Sequence, residues 1–141
     1  MTEPLSFSFN VDGHNFTSAG EASVQVKKLL RQMGFPNDLI RRASIAMYEG
    51  EINMVIHARG GVATLLVGDD LIEIILKDDG PGIPDVALAM QEGYSTAPDN
   101  IRALGFGAGM GLPNMKRYSD SMEIDSTVGV GTTIKLSFKV S

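Results

Sequence analysis

The sequence predicts an α+β fold in which one antiparallel or mixed sheet carries helices on one face. Two observations carry this prediction. Short segments alternate apolar with polar residues at the period of a half-buried strand, and two longer segments repeat apolar residues at helical spacing. With 141 residues, 43% of them hydrophobic, the chain has the size of one domain and can fill one core. We therefore expect a single domain over residues 1–141.

The N-terminal part predicts one strand followed by two helices. Alternating residues indicate a strand over 5–11. Apolar residues at helical spacing predict a helix over about 17–33, and Gly34 is its expected stop. Pro36 then opens a second helix over about 36–59, because proline is well tolerated in a first helical turn.

The middle of the chain predicts a hairpin and then a long irregular segment. Apolar runs at 62–67 and 71–77 are separated by Gly-Asp-Asp, which is hairpin chemistry. A short helix is expected over 85–92. Residues of about 93–110 show little periodicity, and a loop of that length inside a compact domain is typical of a functional lid.

The C-terminal part predicts a short helix and a second pair of strands. The helix is expected over 113–119, after a run of alternating glycines. Strands are expected over 122–126 and 132–140, around the turn Val-Gly-Val-Gly.

Charge and composition exclude several classes of function. The formal net charge is −5, and the basic pairs Lys27–Lys28 and Arg41–Arg42 are expected to be solvated, so nucleic-acid binding is disfavoured. The absence of cysteine removes disulfides and thiolate chemistry. The N-terminus lacks the pattern of a signal peptide, and every aliphatic run is too short to span a bilayer. We expect a cytoplasmic protein with no membrane partner.

The second predicted helix carries a polar row among apolar residues. Glu49 and Asn53 are four residues apart and therefore lie on one helix face, and His57 extends the row by one turn. Gly50 is costly inside a helix and predicts the close approach of another group. The alternatives are a solvent-facing stripe and, for His57, a hydrogen-bonded histidine at a helix end.

Three glycine-bearing turns follow this helix. Asp78-Asp79-Gly80-Pro81-Gly82 places a carboxylate at a strand end, where it could accept from a nucleobase amino group, although a tight acidic turn has the same sequence. The run of alternating glycines at 105–111, here called the ladder, precedes a helix and predicts an anion cradle. The alternative is a hinge or a disordered loop. The third turn, ahead of the last strand, is by itself an ordinary hairpin. The glycines of the ladder and the residues of the third turn are Gly105, Gly107, Gly109, Gly111, Gly129, Gly131, Thr132 and Thr133.

The order of these four motifs resembles the GHKL (Bergerat-fold) ATPase superfamily, which includes sensor histidine kinases and topoisomerase ATPase domains. The match runs from about Phe16 to Val140. The resemblance implies a two-layer α/β sandwich with a long ATP lid, and it implies ATP and Mg²⁺ as the bound nucleotide and metal. In this family the asparagine of the helical motif is a magnesium ligand, which Asn53 matches. The glutamate one turn earlier is the general base, which Glu49 matches.

The resemblance also implies nucleotide contacts for the three turns. Asp78 matches the aspartate that takes the adenine amino group, and the glycines beneath the base match Gly80 and Gly82. Thr132 or Thr133 matches the threonine near the adenine. The phosphate-wrapping motif matches the ladder glycines and the residue after them, and His57 is a further candidate contact. The ladder residues are Gly105, Gly107, Gly109, Gly111 and Leu112.

Within the superfamily the chain looks most like bacterial anti-sigma factors and serine/threonine switch kinases. This resemblance implies transfer of the ATP γ-phosphate to a serine of a small antagonist protein, with a sigma factor as a second candidate partner. Two alternatives stay open: an ATP-dependent binding module that sequesters a partner, and a histidine kinase domain acting in trans. Homologous switch kinases often dimerise, so a homodimer is a further expectation.

Overall fold

The computed structural model describes residues 4–12, 20–58, 60–83, 86, 90 and 111–140. The predicted lid lies outside this part of the chain, as does most of the short helix predicted for 85–92. The described residues form five strands and three helices, which are, in chain order, β1 (Leu5–Asp12), α1 (Glu21–Gln32), α2 (Asn37–Ala58), β2 (Gly60–Val67), β3 (Leu71–Asp78), α3 (Gly111–Tyr118), β4 (Ser121–Thr127) and β5 (Gly131–Lys139).

The five strands form one sheet in the order β1-β2-β3-β5-β4, and every pairing is antiparallel. Side chains alternate across the sheet. In β5, for example, Ile134, Leu136 and Phe138 are buried towards the helices, whereas Lys135 between them is half-exposed and pairs with Glu73 at 2.9 Å. The predicted α+β class, with helices on one face of the sheet, is confirmed.

Helix α2 is the central element of the helical layer, since it packs against α1, against α3 and against the middle of the sheet. Gly50 permits the close contact with the sheet, because a Cβ at this position would overlap the side chain of Leu76 in β3. The close approach that the sequence predicted for Gly50 is therefore made by β3.

The start of α1 is held by a glutamate of α2. Gly20 precedes the helix with φ of +99° and offers no side-chain cap. Instead, the carboxylate of Glu51 accepts backbone hydrogen bonds from Gly20 at 3.0 Å, Ala22 at 3.2 Å and Ser23 at 2.5 Å. Glu51 is 2% exposed. Burial raises the pKa of this carboxyl, and the three N–H donors partly offset the rise.

Arg42 connects α2 to the C-terminal end of α3. Its Nη1 donates to the carbonyl of Tyr118 at the end of α3, at 3.3 Å, and lies 3.7 Å from Asp120. Its Nε pairs with Asp38 at 3.0 Å, and this hydrogen bond lowers the pKa of Asp38, with a smaller contribution from Arg41. The expectation of a solvated basic pair is wrong for Arg42, because a cation at a helix C-terminus satisfies carbonyls that lack helical partners.

Two helix boundaries differ from the sequence prediction. Helix α1 begins at Glu21 and not at about residue 17, since Gly20 has a left-handed backbone conformation. Helix α3 begins at Gly111, two residues before Pro113. Pro113 is tolerated there because the first N–H groups of a helix have no intrahelical acceptor.

Replacing Glu51 tests its role as the cap of α1. We expect Glu51→Gln to lower the free energy of unfolding by about 1–2 kcal/mol, because the amide keeps one acceptor oxygen for the buried N–H groups. Glu51→Leu keeps none and should lower it by about 3 kcal/mol. Denaturant unfolding measures both, with exposed Glu123→Gln as the control, expected within about 0.5 kcal/mol of the parent. Equal stability of Glu51→Leu and the parent would contradict this role.

Gly50→Ala tests the contact of α2 with β3. Glycine to alanine in a helix ordinarily stabilises by about 1 kcal/mol. Here we expect a loss of about 1–3 kcal/mol, because the new methyl group overlaps Leu76. Denaturant unfolding should also show that adding Leu76→Val costs less in the Gly50→Ala background than in the parent. A stabilised Gly50→Ala protein would show that the two elements are not in close contact.

Candidate functional site

The polar row of α2 faces the start of α3. Glu49 and Asn53 are half-buried, and a Cβ at Gly111 would lie 3.8 Å from Glu49 Oε2 and 3.9 Å from Asn53 Oδ1. The side chains predicted to share a helix face therefore point to one place, beside the first turn of α3. Leu112, the next residue, is buried and anchors that turn in the core.

A third polar side chain joins this group from α3. Asn114 Nδ2 donates to Glu49 Oε1 at 3.3 Å, and Arg117 Nη1 donates to Asn114 Oδ1 at 3.5 Å. Asn114 was not among the site residues predicted from the sequence. Its position one helical turn after Gly111 would have placed it on the same side of α3, but its contact with Glu49 depends on how the two helices pack.

Asp78 ends β3 with its carboxylate held by two backbone groups. Oδ1 accepts from Gly80 N at 2.9 Å and from Thr132 N at 3.3 Å. Asp78 is paired with Thr132 in the sheet register, so β5 supplies the second donor. Among the described residues both hydrogen bonds end on Oδ1, which makes Oδ2 the oxygen suited to accept from a ligand amino group.

The turn after Asp78 is packed tightly against the β4–β5 turn. Gly82, with φ of +80°, lies so close to Thr127 and Val128 that a Cβ would meet backbone atoms. Gly129 N donates to the carbonyl of Pro81 at 2.8 Å. The glycines of the two motifs are therefore used to bring two turns together.

Ser126, which was not among the predicted site residues, completes this second group. Its Oγ lies 2.8 Å from Thr132 Oγ1 and accepts from Ile83 N at 2.7 Å. Thr132 is 7% exposed and is on the Asp78 side of the sheet. Strand alternation puts Thr133 on the opposite face. The two threonines that the sequence could not separate thus occupy different environments.

The two groups are neighbours along α2. Gly61 lies between the side chain of Met54, the residue after Asn53, and the backbone of Asp78, whose Cα would be 3.1 Å from a Cβ at Gly61. The end of β3 therefore lies beside the same part of α2 that carries Asn53. Met54 thus links the helix that carries the polar row to the end of β3.

Other predicted site residues have no described side chain. His57 lies in the last turn of α2, but its side chain is outside the described part of the chain, so its contacts are not assigned. Gly105, Gly107 and Gly109 also lie outside the described residues.

A comparison with protein families matches residues 37–141 to the histidine kinase-, DNA gyrase B- and HSP90-like ATPases. The chain belongs to this ATPase family. The match includes the row of α2, the turn after β3 and the first turn of α3, so both groups described above lie within the family domain.

Curated relatives extend the similarity over most of the chain. The serine/threonine-protein kinase RsbT of Bacillus subtilis is 32% identical over 113 residues, which are 77% of this chain and 79% of RsbT. The anti-sigma F factor of Geobacillus stearothermophilus is 27% identical over 138 residues, 94% of this chain and 88% of that protein.

Solved structures support the fold of this ATPase domain. A structure of the RsbU and RsbW domains of a Mycobacterium tuberculosis protein aligns with a TM-score of 0.65 at 17% identity. The alignment covers 96% of this chain and 32% of that one, so the chain spans about a third of the longer protein.

Two further findings concern the described residues of this ATPase. None of their helices has the length and apolar character needed to cross a membrane. They also contain no group of three or more His, Cys, Asp or Glu side chains arranged to hold a metal ion. Asn53 offers an amide oxygen instead of one of these side chains, and magnesium takes few protein oxygens beside phosphate oxygens and waters. The amide oxygen of Asn53, which lies on α2 and faces the first residue of α3, fits this requirement.

Proposed function

We propose that this ATPase is a protein serine/threonine kinase of the partner-switching type, which transfers the ATP γ-phosphate to a small antagonist-type protein in the cytoplasm. The observation that carries the proposal is the convergence of Glu49 and Asn53 on Gly111, where a base and a metal ligand would meet the phosphates. The named activities of RsbT and of the anti-sigma F factors support the same conclusion.

Adenine would bind at the end of β3. Oδ2 of Asp78 would accept from the adenine amino group, while Gly80 and Thr132 hold Oδ1 and so fix the plane of the carboxylate. Gly82 would let the backbone approach the flat base. We assign the threonine role to Thr132, because its hydroxyl lies on the Asp78 side, within a hydrogen-bonded pair with Ser126.

The phosphates would bind beside the first turn of α3. The N-terminal N–H groups of this helix, with those of Gly105, Gly107 and Gly109, would supply donors to the phosphate oxygens. Magnesium would be held by Asn53 Oδ1, and when bound it would neutralise charge on the phosphates. Leu112 would keep the turn in place through its buried side chain.

Glu49 would act on the attacking hydroxyl. Its carboxylate takes the serine hydroxyl proton as the hydroxyl oxygen forms a bond to the γ-phosphorus. The bond from the γ-phosphorus to the β,γ-bridging oxygen breaks, and the electron pair leaves with ADP. The half-buried position of Glu49 suits this task, because the carboxylate can be reached by a protein substrate.

Label transfer from γ-labelled magnesium ATP tests the proposed reaction. The full chain is mixed with the small antagonist-type proteins encoded near its gene and with the sigma factors of the same genome. Acid-stable phosphoserine on an antagonist supports the proposal. Acid-labile label would indicate a histidine kinase acting in trans, and ATP-dependent binding without transfer would indicate a sequestering module. We also propose that the chain forms a homodimer, which sedimentation of the chain alone would test.

Glu49→Gln should abolish transfer and retain nucleotide. We expect the transfer rate to fall at least about 100-fold, because an amide cannot accept the hydroxyl proton. Calorimetry should give an ATP affinity within about twofold of the parent. The control is Glu123→Gln on exposed β4, which should transfer label at the parental rate. A Glu49→Gln protein with parental transfer would remove Glu49 from the reaction.

Asp78→Asn should weaken ATP binding by about 10-fold to 100-fold, because a charged acceptor is replaced by an amide that offers a donor to the adenine amino group. Calorimetry with magnesium ATP measures the change. Asp79→Asn makes the same change at the next residue, which is exposed, and should leave the affinity within about twofold. Equal affinities of the two variants would contradict the adenine assignment.

A further inference from the structure

The two oxygens of Glu49 have different surroundings. Oε1 accepts from Asn114 Nδ2 at 3.3 Å, whereas Oε2 is the oxygen nearest to Gly111, 3.8 Å from where its Cβ would be. One oxygen is therefore bound to a neighbouring side chain, and the other is directed to the place where Asn53 and the first turn of α3 meet.

The orientation of the Asn114 amide is set by its own neighbours. Arg117 Nη1 lies 3.5 Å from Asn114 Oδ1 and can interact only with an acceptor there. With Oδ1 turned to the cation, Nδ2 is the end that faces Glu49, and an amide donor beside a carboxylate forms a charge-assisted hydrogen bond. Arg117, Asn114 and Glu49 thus form a short chain of hydrogen bonds from α3 to α2.

From this chain we infer that Asn114 is a positioning residue for Glu49. It holds Oε1, so that Oε2 is the oxygen that takes the proton from the attacking hydroxyl. The inference rests on the proposed function, since it concerns the group that acts as the base. It adds that α3, whose first turn would bind the phosphates, also sets the orientation of the base.

Helix α3 carries both the proposed phosphate-binding turn and the donor to Glu49. Gly111 and Asn114 are one turn apart in α3, so any shift of α3 that accompanies nucleotide binding also moves the donor to Glu49. Arg42 restrains the opposite end of α3 through the carbonyl of Tyr118.

Asn114→Asp and Asn114→Leu distinguish positioning from a structural role. The pH dependence of transfer is measured with the acceptor identified above or, if none is found, as single-turnover hydrolysis of magnesium ATP. We expect Asn114→Asp to move the acidic limb of the profile up by about one pH unit, because a second carboxylate favours the protonated, inactive form of the base. Asn114→Leu should lower the plateau rate about tenfold through loss of the donor, with a smaller shift.

Two measurements separate this effect from damage to the fold. ATP affinity by calorimetry should stay within about twofold in both variants, and the thermal midpoint should stay within a few degrees of the parent. Asn37→Asp is the matched control, an exposed asparagine in the first turn of α2, three turns from Glu49. It adds the same charge about 18 Å away and should leave the profile unchanged.

The outcomes are distinguishable. If Glu49→Gln is inactive but Asn114→Asp keeps the parental profile, or lowers the rate equally at every pH, Asn114 does not position the base and the inference is overturned. If Glu49→Gln keeps the parental rate, the proposed role of Glu49 fails first and the inference fails with it. An upward shift of the acidic limb in Asn114→Asp, together with the loss of plateau rate in Asn114→Leu at parental ATP affinity, supports the inference. A parental plateau rate in Asn114→Leu would overturn it.

Discussion

The rest of the structure depends on the close packing of α2 against β3. Gly50 brings the helix backbone onto Leu76, and one turn later Met54 lies over Gly61 beside the end of β3. Both contacts are on one side of α2 and so fix its rotation about its own axis. Because successive helical residues are about 100° apart, that rotation decides which element each polar side chain of α2 can reach.

Two glutamates two residues apart show the result. Glu49 points to α3, where it is half-buried and receives one side-chain donor. Glu51 points to α1, where it is fully enclosed and accepts three backbone N–H groups. The first is suited to exchange a proton with a substrate, and the second to hold a helix end. In the sequence both are glutamates of one helix, and nothing in their spacing distinguishes these two roles.

The sequence was sufficient to predict the α+β class, the order of helices and strands along the chain and the ATPase family, because hydrophobic period and the spacing of motifs can be read along the chain. It was not sufficient to find Glu51, Arg42 or Ser126, whose roles depend on partners that are distant in the chain and are chosen by packing. Gly20 shows the same limit at a boundary, since its left-handed conformation makes α1 begin at Glu21, later than the sequence predicted.

The central claim is that the row of α2, the turn after β3 and the start of α3 enclose one magnesium nucleotide. A crystal structure of the full chain with Mg²⁺ and a non-hydrolysable ATP analogue tests it most directly. We predict the adenine amino group within hydrogen-bonding distance of Asp78 Oδ2, the metal on Asn53 Oδ1 and Glu49 Oε2 facing the γ-phosphate. A nucleotide bound elsewhere, or a metal without Asn53 among its ligands, would contradict the account.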